Sequence, residues 1–166
     1  MTVQEQGNDL VAQIKELTAR VELLSTVREI TALRHALPRR INENRWDEVG
    51  ELFSENARLD YAHLGQAAGR EEIQRYFSGL PAMIEENSPA AHVMVKQFVH
   101  AHDVEVQAET ATGVSFFEEK VVFDSESSFV AGKFTDAYAR EHGRWLFSHI
   151  RLELFWVIPY QRGWER

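Results

Sequence analysis

The chain carries seven histidines and no cysteine, which excludes disulfides, thiolate nucleophiles and cysteine-ligated metals. Histidine titrates nearest neutrality and is the first candidate for moving a proton. His100 and His102 stand two apart, a spacing that sets metal ligands on one strand face. The turn signal at Asp103 beside them favours a solvated hairpin tip over a metal site. His35 and His63 have claims on a pocket mouth or on the surface. Tyr61 shares a strand face with Leu59, so its hydroxyl either enters a pocket or satisfies a backbone partner. No P-loop, dinucleotide-binding glycine motif, His-Glu-x-x-His or Gly-x-Ser-x-Gly occurs, so nucleotide-dependent and serine-hydrolase chemistry have no support. No cofactor and no metal are implied.

Such residues need elements to hold them. Residues 8–37 read as helix. Leu10, Ile14, Leu17, Val21 and Leu24 repeat at four-three spacing, a coiled-coil-like seam of barely two heptads. Ile30, Leu33, Leu37 and Ile41 continue an apolar stripe, and Pro38 predicts a kink or break near Ala36. Arg45 to Phe53 reads as a second helix capped by Asn44, Arg58 to Leu64 as a strand, and Glu71 to Leu80 as a third helix. After Ala90, strands are expected over 92–102, 104–122, 128–140 and 144–157, with turns at His102-Asp103, Asp124-Ser125 and His142-Gly143. Short connections between long strands predict an antiparallel meander. The expected class is therefore α+β: three N-terminal helices close a cone-shaped, strongly curved antiparallel sheet around a mostly apolar pocket.

Leu59, Ile41, Val114, Phe116, Val130, Phe134, Ile150 and Trp156 are expected to line that pocket or to be ordinary core. Alternation assigns Val93, Val95, Val99, Trp145, Phe147 and Phe155 to the outer face. That much apolar surface predicts a homo-oligomer, most simply a dimer.

The 166 residues suit one domain with a real core, preceded by a helical extension over 1–27, the domain itself being 28–166. At 44% hydrophobic and 27% charged the composition is that of a globular chain. A net charge of −8 repels phosphate backbones, so neither nucleic acid nor an anionic membrane is an expected partner. No membrane-spanning run or secretory signal is visible, and a cytoplasmic location is expected.

The segment "REITALRHALPRRINENRWDEVGELFSENARLDY", then "GREEIQRYF" and "GKFTDAYAREHGRWLFSHI", resembles in order and spacing the SnoaL-like proteins of the nuclear transport factor 2-like superfamily. The resemblance runs from about Arg28 to Trp156. It implies the cone-shaped roll and an apolar cavity, but the superfamily includes dehydratases, a dehydrochlorinase, ketosteroid isomerases, polyketide cyclases and binding-only members. Among the dehydratases and dehydrochlorinase it implies a histidine base oriented by a carboxylate. Those positions fall on His92 and Asn42, so the histidine is present and its carboxylate is not. An amide still accepts a hydrogen bond but cannot stabilise an imidazolium by charge. Tyr61 falls where scytalone dehydratase-like enzymes polarise substrate through a water; their second tyrosine falls on Ile41. The dehydrochlorinase-like arginine falls on Ile150.

Two functions are therefore expected. One is a cofactor-independent lyase or isomerase acting on a small apolar oxygenated molecule such as a polyketide, terpenoid, steroid or aromatic, with His92, Tyr61 and Asn42 as catalytic residues. The other is a non-catalytic ligand-binding or structural member of the same fold, in which His92 is a core histidine and Asn42 a polar helix end.

Overall fold

The computed structural model describes residues 3–87, 93–124 and 126–160. Its elements are α1 (Val3–Asn42), a 3-10 helix (Trp46–Leu52), β1 (Phe53–Asp60), a 3-10 turn (Ala62–Leu64), β2 (Gln66–Ala68), α2 (Arg70–Asn87), β3 (Val93–Gln107), β4 (Thr110–Phe123), β5 (Glu126–Glu141) and β6 (Arg144–Pro159). The strands form one six-stranded sheet in the order β2-β1-β6-β5-β4-β3. Every pairing is antiparallel except that of β1 with β6. The fold is the expected curved α+β roll, with its sheet unclosed.

Pro38 and Pro81 sit inside helices. Pro38 leaves the Arg34 carbonyl without its usual donor, yet α1 runs on to Asn42. Packing outweighs that loss, because Ile30, Leu37 and Ile41 are all buried against the sheet. α2 likewise passes through Pro81 and ends at Asn87 rather than Leu80. Asn44 does not cap the next helix; it adopts a left-handed conformation, φ 58°, just past the end of α1. There its N–H donates to the Ile41 carbonyl at 3.1 Å, the usual way an asparagine stops a helix. Gln74 of α2 holds the first 3-10 helix, accepting from Gly50 N–H at 2.6 Å and donating to the Trp46 carbonyl at 2.9 Å.

Bulges in β3 and β6 decide which side chains of those strands enter the roll. In β3, His100 pairs with Phe116 but His102 with Ser115, so Ala101, at φ 41°, is an extra residue. The strand therefore continues through the expected turn at His102-Asp103, and the two histidines take opposite faces. In β6 the register jumps at Ser148 and again at Phe155. The first jump turns Phe147 inward beside Tyr138, although simple alternation had placed it outside. The second points both Phe155 and Trp156 outward next to Phe116. Trp156 and Phe116 are consequently exposed rather than pocket-lining. Val114 belongs to the outward row too, since the inward residues of β4 are Ala111, Gly113, Ser115, Phe117, Glu119 and Val121. Val95, Val99 and Trp145, expected outside, pack on the core; the Val93 side chain lies outside the described residues.

Gly132 pairs with Leu154 at the edge of the Phe155 bulge. A Cβ there would stand 2.6 Å from the Phe117 ring and closer still to the Glu153 carbonyl. Gly132→Ala is expected to cost about 1–3 kcal/mol, with Tm falling by roughly 2–4 °C per kcal/mol for a chain of this size. Calorimetry showing an unchanged Tm would contradict the close packing at this bulge.

Candidate functional site

The inward face of the sheet and the two long helices enclose a cavity of about 210 Å³. Ile41, Trp46, Tyr61, Leu64, Tyr76, Phe77, Leu80, Met83, Ile84, Val95 and Val121 supply its walls, with Gln97 and Glu119 among them. The space is smaller than the roughly 300–1,000 Å³ of drug-sized ligand sites but far larger than one water. Among the described lining residues Glu119 is the ionisable acid. Burial raises its carboxyl above the ordinary value, and the Gln97 amide, donating to Oε2 at 3.1 Å, opposes that only in part. Gln97 can do this because the two residues face each other across the β3–β4 ladder.

Tyr61 is buried, and its hydroxyl has no partner within hydrogen-bond reach among the described residues. Its ring is wedged between Tyr76, Phe77 and Phe134 at centroid distances of 6.0, 5.9 and 6.1 Å. Burial raises its pKa, and the charge of Arg34 pulls the other way. Of the residues expected to line the pocket, Ile41 does so. Leu59, Val130, Phe134 and Ile150 are buried in the surrounding core.

Asn42 is committed elsewhere. Its Nδ2 donates to the Gln97 carbonyl and its Oδ1 accepts from the Gln97 N–H, each at 2.7 Å. The amide thus completes β3 as a strand neighbour would, and Lys96 Nζ donates to the Asn42 carbonyl. His92, one residue ahead of β3, lies outside the described residues. His35 and His63 are exposed.

Beyond Phe134 lies a buried polar chain of which sequence reasoning singled out only His102. Arg34 is fully buried, its guanidinium 3.9 Å from the Phe134 centroid and its Nε 3.6 Å from Asp136 Oδ2. The Tyr138 hydroxyl donates to the same carboxylate oxygen at 2.9 Å. That spends the one phenolic proton, so His102 Nε2, 3.0 Å away, donates to Tyr138. His102 Nδ1 then accepts from Thr31 Oγ1 at 3.2 Å. Such an arrangement requires neutral imidazole, and burial, followed by the charges of Arg34 and His35, lowers the His102 pKa to about 4. Burial raises Asp136, against the pull of Arg34 and Tyr138. The available signal was positional: Arg34 sits in the helical stripe of Ile30, Leu37 and Ile41, and Glu119 and Asp136 interrupt apolar rows at period two.

Asn42→Asp should set an acceptor against the Gln97 carbonyl. A loss of about 1–3 kcal/mol at pH 7 is expected. The deficit should shrink toward pH 4, where a protonated Asp can donate again. Denaturant melts at both pH values check this; equal stability of the two proteins at pH 7 would contradict the pairing.

Residues 22–151 match the sequence profile of the SnoaL-like domain. No curated protein sequence matches this chain significantly. Among solved structures it is similar to a hexachlorocyclohexane dehydrochlorinase, LinA type 2, with TM-score 0.74, 16% identity and coverage of 86% of this chain and 94% of that one. A candidate scytalone dehydratase from Novosphingobium aromaticivorans gives TM-score 0.70 and 17% identity over 86% and 97% of the two chains. A nuclear transport factor 2-like protein with a cystatin-like fold, also from Novosphingobium aromaticivorans, gives 0.67 and 18% over 85% and 89%. At these identities the structural likenesses establish the fold, while the profile spans most of the chain: this protein belongs to the SnoaL-like family.

Proposed function

We propose that this protein is a cofactor-independent lyase or isomerase that moves a proton on a small, largely apolar, oxygenated molecule. The observation that carries this reading is one carboxyl of raised pKa, Glu119, in an otherwise apolar cavity. A carboxyl tuned toward neutral pH can take a proton from carbon in one step and return it in another. Tyr61, with its hydroxyl unclaimed among the described residues, is placed to donate to an oxygen that gains negative charge as the proton leaves. Val121, Phe77, Leu80 and Ile84 exclude water from the apolar body of the substrate. The resemblance gives His92 the role of proton-abstracting base; in this reading it shares the proton transfer with Glu119, and Asn42 supports the site through β3. The substrates named for the similar structures, hexachlorocyclohexane and scytalone, support the class of chemistry and no particular compound.

Binding without turnover is the second reading. It is favoured by the pairing of Asn42 with backbone, which leaves its amide engaged with Gln97 where the family pattern uses a carboxylate to orient the histidine. Deuterium incorporation beside the carbonyl of 2-tetralone in D2O, followed by proton NMR, separates the two. Catalysis predicts exchange above the buffer rate, a loss of about 100-fold or more in Glu119→Gln or His92→Gln, and a smaller loss in Tyr61→Phe. Line broadening of the ketone without accelerated exchange would favour the binding reading.

Stability gives an independent check on Glu119. A carboxyl whose folded pKa is raised stabilises the fold fully below its unfolded value, near 4.5. That contribution is lost as pH rises through the folded pKa. Glu119→Gln should therefore melt higher than wild type at pH 8, with the gap closing toward pH 4. A gap independent of pH would mean that the carboxyl titrates normally.

A further inference from the structure

We infer that residues 10–24 of α1 form a parallel, two-stranded coiled coil with the same segment of a second copy of this chain. Leu10, Ile14, Leu17, Val21 and Leu24 are 54–69% exposed, although all are large and apolar. They cannot fold back onto their own sheet. At 100° per residue their mean direction lies about 165° from that of the Ile30, Leu33, Arg34, Leu37 and Ile41 stripe, which faces the sheet. The seam and the core stripe are on opposite sides of one helix. The change of side occurs where α1 reaches the sheet, since residues 6–25 are exposed, Thr26 and Val27 half-buried and Ile30 fully buried. This segment also lies mostly ahead of residue 22, where the match to the family begins.

Three features select the occupant. With Leu10, Leu17 and Leu24 at d, the a positions are Ile14 and Val21; β-branched residues at a and leucine at d favour two parallel strands. The flanking e and g positions are Val11, Thr18 and Ser25 with Gln13, Arg20 and Val27, so no like charges oppose one another across a parallel pair. Arg20 is already paired with Glu16 at 2.6 Å on its own helix. The other charges, Asp9, Lys15, Glu16 and Glu22, fall at b and c, away from the seam. Two heptads are short for free peptides, but here the helix continues into α1 and is anchored by residues 30–41. Association need not pay for helix nucleation.

The seam residues are exposed, so substituting them leaves the domain folded. Sedimentation of the full chain at micromolar concentration should give Leu17→Glu/Val21→Glu half the mass of wild type, with unchanged near-ultraviolet circular dichroism. Equal masses would overturn the proposal, including the case in which both proteins associate through the outward sheet face. Direction is read by oxidation, since the natural chain has no cysteine. Leu17→Cys should cross-link in either direction, but Val21→Cys only in the parallel pair, because an antiparallel pair centred on Leu17 sets Val21 opposite Gln13. Cross-linking at 17 without cross-linking at 21 would refute the parallel arrangement.

Discussion

Side chains along a strand alternate between two faces, and a single extra residue exchanges the faces for everything beyond it. The whole interior depends on this constraint. Ala101, Ser148 and Phe155 are the extra residues of β3 and β6. The first puts His102 in the roll and His100 against Glu118 outside, 3.6 Å away. The second brings Phe147 under Tyr138, where their rings lie 5.2 Å apart. The third ejects Phe155 and Trp156 together. Bulges also increase local twist and bend, so the same residues that sort the side chains help curve the sheet around α1 and α2.

An interior of this kind would be simplest if it were wholly apolar, yet it contains a buried arginine and aspartate. Removing two charges from water costs several kcal/mol per ion, and mutual attraction repays that only with good geometry. Arg34 recovers part of the cost by stacking on Phe134, and Asp136 by accepting from Tyr138. Gly113 is part of the same arrangement, because a Cβ there would lie 2.7 Å from His102 Nε2 and 3.1 Å from the Tyr138 ring. The chain from Thr31 to Arg34 therefore ties α1 to two strands, β3 and β5, in one register. An apolar core would tolerate sliding by a residue; this one would lose every donor-acceptor match.

The order of elements, the antiparallel meander and the helices on one side were legible because they rest on periodicity and turn chemistry, which are local. Helix ends at Pro38 and Pro81 were not, since tertiary burial of Ile30, Leu37, Ile41, Ile73 and Phe77 outweighs a missing hydrogen bond. Pocket-lining assignments failed for a different reason. Val114, Phe116 and Trp156 look like core by composition, and only register across strands reveals that they face out. Glu119 and Gln97 were invisible as a pair for the same reason. They are 22 residues apart and meet only because β3 and β4 align them.

Asn42 connects these levels. Its neutral amide fits the backbone of Gln97 as donor and acceptor at once. A carboxylate offers only acceptors and could not make both bonds. Fixing Gln97 at its backbone leaves its side chain directed across the ladder to Glu119. The end of α1 is thereby coupled to the carboxyl in the cavity through one strand residue. The coupling carries no net charge, so burial remains the largest influence on Glu119 and keeps its pKa raised. A charged residue at 42 would disturb the strand; the amide supports it and leaves the tuning of the acid to the apolar walls.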